Sequence, residues 1–333
     1  MTTHRQNLRL YLDSSVIAFI ADHQAAKRAS LEFERQGWTG TTSYTALIEA
    51  ARAPYKEWVQ RQKVFASVVS ELLHPPGDYL EAQEFLDEVR RLRPDWLKTQ
   101  ASTVEAKQLL RKQKEIFRKA QSQQDFDPKE LLPSFLRVFE PAVSVNRKTQ
   151  KELRSLILSS GKDNISIDLV DEISGSNLTT YLRANTSFPE RFGRIASLMT
   201  WRNALAGESS LRDLRDWTSH WLNKKLDLNS EDFIKFWLRE VDWLAMPIHR
   251  AAYSTSYFQL DYKISHGNAA DVEHSVNGLR TNVFLTCDGV FSRVLADVRR
   301  EFGPSFAQIV LVPRSAKDAI EAISLAMNSI QRI

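Results

Sequence analysis

The stretch VFLTCD at positions 283–288 decides the fold class of this chain. Four apolar or β-branched residues in a row predict a buried strand, and Asp288 lies just past its end. Helical spacing begins again at Val290, and a second apolar run, IVLV at 309–312, stops at Pro313. A strand, a helix and a further strand in this order predict an α/β fold, with a mostly parallel sheet sandwiched by helices.

The first sixty residues show the same alternation. Residues 8–12, LRLYL, predict a short strand that ends at Asp13, and helical spacing then continues as far as Gly37. Residues 38–42, WTGTT, predict a second strand, and Ser43 is a suitable N-cap for the helix that follows. Both ends of the chain therefore contribute to one sheet.

The middle of the chain has a different pattern, because the strand signal nearly disappears. Apolar residues recur at helical spacing in three stretches: 79–92, 103–120 and 232–244. We therefore expect a sheet-bearing core with residues 1–60 as its N-terminal part and residues 256–333 as its C-terminal part. Residues 61–255 are expected to form a mostly α-helical insertion domain between the two.

The composition is that of a globular protein with a sizeable core. Of the 333 residues, 43% are hydrophobic and 26% charged, which excludes global disorder. The formal charge of +4 permits an anionic partner without establishing one. The single cysteine, Cys287, excludes an intramolecular disulfide framework. Without an apolar run of about 18 residues or a signal-peptide pattern, we expect a cytoplasmic protein and no membrane partner.

Four carboxylates are expected at one edge of the sheet. Asp13 and Asp288 each follow a predicted strand, and parallel strands point their carboxyl ends toward the same edge, where ligands bind. Crossover helices begin at that edge as well. Glu49 falls in the second turn of one predicted helix and Asp271 in the first turn of another, so these two acids should join the first pair.

Each of the four acids also has an ordinary structural interpretation. Asp271 suits the positive end of a helix dipole, an effect of about 0.3–1 kcal/mol. Glu49 has Arg52 three positions further on as a helix-surface partner. Asp13 and Asp288 are typical residues for turns and caps. Any one of them alone would indicate little about function.

A cluster of all four acids has a different consequence. Two unit charges about 4 Å apart repel by about 4 kcal/mol at an effective dielectric constant of 20, so such a cluster requires protons or a divalent cation. Carboxylate oxygens suit Mg²⁺ or Mn²⁺. Such a site activates water and neutralises the charge of a phosphodiester under attack, so the pattern predicts metal-assisted phosphodiester hydrolysis.

Four stretches resemble the motifs of the PIN-domain family. They are LYLDSSVI at 10–17, TSYTALIEA at 42–50, DVEH at 271–274 and FLTCDGVF at 284–291. The last stretch, a strand that runs into Thr-x-Asp-x-x-Phe, is the most specific. The resemblance covers roughly residues 6–60 and 265–333, and this chain departs from small PIN toxins in its long helical insertion.

The resemblance implies a PIN-like parallel sheet and a metal-dependent ribonuclease. It implies that Asp13, Glu49, Asp271 and Asp288 bind one or two Mg²⁺ or Mn²⁺ ions and orient the attacking water. Ser15 and Thr286 would supply hydroxyl groups behind these ligands. The expected partner is nucleic acid, RNA rather than DNA, and a toxin-like role follows from the habits of the family alone.

Other enzyme classes fit the sequence less well. A haloacid-dehalogenase-like phosphatase requires a second Asp where this chain has Ser15, and neither G-x-x-x-x-G-K-[ST] nor G-x-G-x-x-G occurs. Cys287 is expected to be a small buried hydrophobic residue rather than a nucleophile. His274, one helical turn after Asp271, is either an ordinary helix residue or an assistant to a ligand.

The predicted insertion leaves function open. Its arginines and lysines, among them Arg90, Arg91 and Arg93, either contact phosphates or form a solvated face. Its tryptophans are expected to anchor a core rather than to stack on bases. The insertion would select substrate, bind a regulatory protein or build a homo-oligomer. The rival to a nuclease is therefore a non-catalytic PIN-like scaffold, a module that binds nucleic acid or protein through these helices.

Overall fold

The computed structural model describes residues 8–99, 103–122, 178–182, 186–208, 211–223, 226–262, 268–328 and 330. These residues form two compact units. The first contains the described residues of 1–76, 108–136 and 273–333, and the second those of 77–107 and 137–272. The boundaries predicted from the sequence, after residues 60 and 255, thus differ from those of the structure.

A five-stranded sheet is the centre of the first unit. Its strands are β1 (Leu8–Leu12), β2 (Trp38–Thr42), β3 (Val69–Leu72), β4 (Val283–Thr286) and β5 (Gln308–Leu311). The order is β3-β2-β1-β4-β5 and every neighbouring pair is parallel, so the predicted α/β class is confirmed. Strand β3 is an edge strand that the sequence pattern does not predict, because its segment VSEL falls within the expected helical insertion.

The helices, in chain order, are α1 (Ser14–Asp22), α2 (Ala26–Gln36), α3 (Tyr44–Ala51), α4 (Tyr55–Ser67), α5 (Gly77–Leu92), α6 (Val104–Gln121), α7 (Phe188–Ala206), α8 (Arg212–Thr218), α9 (Glu231–Lys235), α10 (Pro247–Gln259), α11 (Asn268–Val276), α12 (Gly289–Phe302) and α13 (Ala319–Asn328). A single turn of π-helix, Phe236–Glu240, follows α9. Among the described residues, no helix is both long and apolar enough to cross a membrane.

The two faces of β1 bury different side chains. Leu10 and Leu12 lie in the main hydrophobic core of the first unit, together with residues of α1, α3, α4 and β4. Tyr11, the residue between them, is also fully buried, but its ring packs against Phe284 of β4 with 4.7 Å between the ring centroids. Strand alternation therefore places one polar group, the Tyr11 hydroxyl, inside the unit opposite the main core.

Gly40 of β2 allows a close backbone approach. A Cβ atom at this position would lie 2.2 Å from the carbonyl oxygen of Val68, the residue just before β3. Any larger residue would force β2 and the start of β3 apart. The register between these two strands shifts at the same place, between Gly40 and Thr41.

The second unit is helical where it is described, and aromatic side chains fill its interior. Phe85 of α5 stacks on Trp201 of α7 at 4.2 Å and on Trp237 at 5.3 Å between ring centroids. Trp96, Trp217 and Trp243 are also buried. The expectation that the tryptophans anchor a core is confirmed for these five, whereas the sixth, Trp221, is only partly buried.

The arginine cluster of the second unit is neutralised locally. Arg90 pairs with Asp87, Arg91 with Glu88, and Arg93 with Glu240 at 2.7 Å. Arg90 also lies over the ring of Trp221, 5.0 Å from its centroid. These contacts favour the solvated-face interpretation of the cluster over a phosphate-binding one.

Candidate functional site

Asp13 occupies the end of the central strand and caps the helix that follows. Its Oδ1 accepts hydrogen bonds from the amide of Val16 at 3.0 Å and from the hydroxyl of Ser15 at 2.6 Å. The residue is only 4% exposed. Burial raises the pKa of the Asp13 carboxyl above its ordinary value, although the charge of His274 and the hydrogen bonds of Ser15 and Thr286 partly oppose this.

Ser15 connects this carboxylate to the neighbouring strand. Its Oγ donates to Asp13 and accepts a hydrogen bond from the backbone amide of Cys287 at 2.8 Å. The amide of Asp13 in turn donates to the carbonyl of Leu285 at 3.3 Å. These hydrogen bonds fix the ends of β1 and β4 to each other.

Asp288 lies past the end of β4 and caps α12. Its Oδ1 accepts from the amides of Val290 and Phe291 at 2.8 and 2.9 Å, and its side chain is exposed. The fully buried Thr286 accepts a hydrogen bond from the Asp288 amide through Oγ1 at 3.0 Å. Asp13 and Asp288 therefore share an edge and a local geometry, but differ in exposure.

Glu49 lies in the second turn of α3, as predicted, and is paired with a histidine. Its Oε2 is 2.7 Å from Nε2 of His274, and the Glu49 side chain is 22% exposed. Burial acts to raise the pKa of Glu49, but the charge and hydrogen bond of His274, aided by Ser14 and Arg52, outweigh it and lower the pKa. Glu49 is thus an ionised carboxylate at neutral pH.

His274 and Tyr11 continue this pair into a chain of polar groups beneath the sheet edge. Nδ1 of His274 is 2.5 Å from the Tyr11 hydroxyl, which is 2.7 Å from Oγ of Ser43. Nε2 faces a carboxylate and therefore carries a proton. Burial, with the charges of Asp13 and Glu49, raises the pKa of Tyr11 well above its ordinary value, so its hydroxyl stays protonated.

This chain of groups is almost invisible in the amino-acid sequence. In the sequence, Tyr11 is one more residue of an apolar strand, and His274 fits either an ordinary helix residue or an assistant to a ligand. The signal in the sequence was a hydroxyl-bearing residue in the middle of a buried strand. Only the topology shows that a histidine 263 positions away meets it.

Asp271, the fourth predicted acid, belongs to the second unit. It lies in α11, one turn before His274, and its Oδ2 accepts a hydrogen bond from Nε2 of Gln259 at 3.2 Å. The structure thus assigns Asp13, Glu49 and Asp288 to the first unit and Asp271 to the second.

The fit of these residues to a metal ion is partial. Within the part of the chain that the structure describes, no three His, Cys, Asp or Glu side chains are grouped so that they could hold a metal ion. The chemistry of the donors does suit Mg²⁺ or Mn²⁺, because Asp13, Glu49 and Asp288 offer carboxylate oxygens. A metal would have to draw these carboxylates closer together.

Cys287 is not equipped to act as a nucleophile. It is a free thiol between Thr286 and Asp288 and is 8% exposed. Burial and the nearby charge of Asp13 raise the pKa of the thiol to about 12, although Arg314 and Ser15 partly oppose the shift. Because the thiolate is the reactive form, this cysteine is inert at neutral pH.

Comparisons with known proteins found no similar protein. No family model, no curated protein and no solved structure matches this chain.

Proposed function

We propose that the first unit is a PIN-like, metal-dependent phosphodiester hydrolase that acts on RNA rather than DNA. The observation that carries the proposal is the buried carboxylate of Asp13 at the carboxyl end of the central strand. It forms no ion pair with any lysine or arginine that the structure describes. A buried carboxylate without such a partner is costly, and a divalent cation would compensate it.

The carboxylates have distinct roles in this proposal. Asp13 and Asp288 would hold Mg²⁺ or Mn²⁺, and Ser15 and Thr286 fix the backbone and oxygen atoms around them. Glu49, kept ionised by His274, accepts a proton from the attacking water. The bound cation would neutralise charge on the phosphodiester. The resemblance to PIN domains supports this assignment of roles.

The test is cleavage of single-stranded and structured RNA and DNA by the purified protein with Mn²⁺, with Mg²⁺ or with EDTA. We expect cutting of RNA that depends on the metal. Asp13→Asn and Asp288→Asn should each reduce it at least 100-fold, because Asn keeps the helix cap and removes the charge. Cutting that persists in EDTA or in both variants would assign the activity to a contaminant and contradict the proposal.

A non-catalytic scaffold is the second candidate. It is favoured by the two capping aspartates, whose bonds to helix amides are already a sufficient structural reason for them. Its helical unit would then bind a regulatory protein, RNA or a second copy of the chain. The melting temperature separates the candidates, since Mn²⁺ should raise it only if the acids bind metal. A wild-type shift that Asp13→Asn removes supports the hydrolase, and no shift supports the scaffold.

A further inference from the structure

A cavity of about 440 Å³ opens next to Asp288, between the start of α12 and the residues that follow β5. Its walls lie entirely in the first unit. They include Cys287, Asp288, Val290, Arg293, Leu311 and Arg314. The volume falls within the range of about 300–1,000 Å³ that small-molecule sites occupy, which is enough for one nucleotide.

The charge of this cavity favours an anion. Two arginines face one carboxylate, so the lining has a net positive charge. The amides at the start of α12 are already bound by Asp288 Oδ1, so the arginines rather than the helix end would hold the ligand. A guanidinium group can donate two parallel hydrogen bonds to two oxygens of one phosphate, a geometry that the lysine ammonium group does not offer.

Arg314 is available for such a ligand. It lines the cavity together with Cys287. Among the described residues, no carboxylate forms an ion pair with Arg314. At Arg314, a phosphate group would therefore gain a charged partner without breaking an ion pair to a described carboxylate.

Apolar side chains line the same cavity. Val290 and Leu311 are 42% and 47% exposed, so each presents apolar surface to a ligand. A ribose or a base in contact with them would cover apolar surface, while its phosphate reached the arginines. A cavity that combines both features suits a nucleotide better than an inorganic anion.

We propose that this cavity binds the phosphomonoester of a nucleotide through Arg293 and Arg314. The nucleotide is either free or the phosphorylated end of an RNA strand. The second form rests on the proposed function, because it places the strand end beside Asp288. The first form does not depend on hydrolysis.

The experiment measures binding in EDTA, where no cleavage occurs, by fluorescence anisotropy and calorimetry. The probes are short RNAs with a 5′-phosphate, a 3′-phosphate or only hydroxyl ends, together with AMP and adenosine. We expect one phosphorylated form to bind at least 10-fold more tightly than its hydroxyl counterpart. Tight binding of AMP identifies the free nucleotide as the ligand, and a preference limited to RNA identifies the strand end.

Arg293→Ala and Arg314→Ala should each abolish the preference. Arg300→Ala is the matched control, because it removes the same charge from the same helix at an exposed position that pairs with Asp297. Equal binding of phosphorylated and hydroxyl probes, or a preference that survives both arginine variants, would overturn the proposal. If the preference is present but no substrate is cleaved with metal, the cavity assignment stands and the proposed hydrolase fails.

Discussion

The two aspartates of the candidate site show how one residue type has different energetics in similar local settings. Asp13 and Asp288 each follow a strand and cap a helix, but only Asp13 is buried. Their positions were predictable, because an acid after an apolar strand in an α/β pattern marks the sheet edge. Their difference in burial was not, since it depends on how neighbouring strands and α1 cover the first of them.

Asp13→Asn should stabilise the protein in EDTA at neutral pH. The folded pKa of Asp13 is raised above its unfolded value, so its contribution to stability is full below the unfolded pKa and is lost as the pH rises through the folded one. An asparagine does not ionise, so it does not lose stability as the pH rises, and its side chain still caps α1. We expect its melting temperature to exceed that of the wild type by a few degrees at pH 7, and the difference to shrink as the pH falls through the acidic range.

The control for this prediction is Asp288→Asn, an equally conservative change at an exposed cap. Its melting temperature should stay close to that of the wild type. If Asp13→Asn lowers the melting temperature at pH 7, the buried charge is stabilising and its compensation lies within the protein. In that case the reason for placing a cation beside Asp13 would disappear.

His274 is the residue on which the buried polar chain depends. His274→Ala removes the partner of Glu49 and of the Tyr11 hydroxyl at once, which deprives a carboxylate and a phenol of a hydrogen bond each. We expect a loss of about 3 kcal/mol in the free energy of unfolding, measured by urea denaturation at pH 7.

Glu49→Gln is a less disruptive substitution in the same chain of polar groups. Its amide oxygen still accepts from His274, so the loss should be about 1 kcal/mol. The pKa of Glu49 is lowered, so its stabilising contribution is present above its unfolded pKa and is lost as the pH falls through the folded one. The cost of Glu49→Gln should therefore shrink in acid. A cost of His274→Ala below about 1 kcal/mol would show that the chain of groups is not structurally important.

At the scale of elements, strand β3 shows what local sequence does not contain. Three strands were predictable from apolar runs and β2 from its threonines, whereas VSEL alternates over only four residues and follows a helix without a break. It becomes a strand because β2 offers a free edge and Gly40 allows the chain to approach it. Tertiary contact rather than propensity decides such an element.

Gly40→Ala should therefore destabilise the edge of the sheet. The added methyl group would meet the Val68 carbonyl at 2.2 Å, a backbone atom that cannot move aside cheaply. We expect a loss of about 1–3 kcal/mol in thermal or urea unfolding. Gly289→Ala, where a Cβ would meet no atom within 4 Å, is the control and should be neutral or slightly stabilising. Equal effects of the two substitutions would contradict the close approach of β2 and β3.

For the whole molecule, the two compact units are defined by contacts that the pattern along the chain does not contain. The loss of strand signal after residue 60 indicated a helical region, but β3 and much of α6 belong to the sheet-bearing unit. Phe117 and Ala120 of α6 are buried in its main core. Because an amphipathic helix has the same pattern whichever unit covers its apolar face, periodicity alone could not assign α6.

The distribution of charge over the molecule yields the last prediction. The arginines of 90–93 have carboxylate partners, whereas Arg111 and Lys112 on the exposed face of α6 pair with no described carboxylate. If RNA is the substrate, its phosphates would bind to that face and release their counterions. Replacing Arg111 and Lys112 with Gln should reduce the slope of log Kd against log salt concentration by about 0.7 for each phosphate that is no longer neutralised.

The matched double variant, Arg90→Gln with Arg93→Gln, removes the same charge from the paired cluster and should leave the slope unchanged. Binding is measured by anisotropy with a short single-stranded RNA at several salt concentrations in EDTA. A slope that neither double variant alters would make the basic face of α6 a solvated surface. Equal reductions of the slope in the two double variants would mean that RNA responds to the net charge of the molecule and not to α6 in particular. The paired arginines would then contribute to RNA binding in spite of their carboxylate partners.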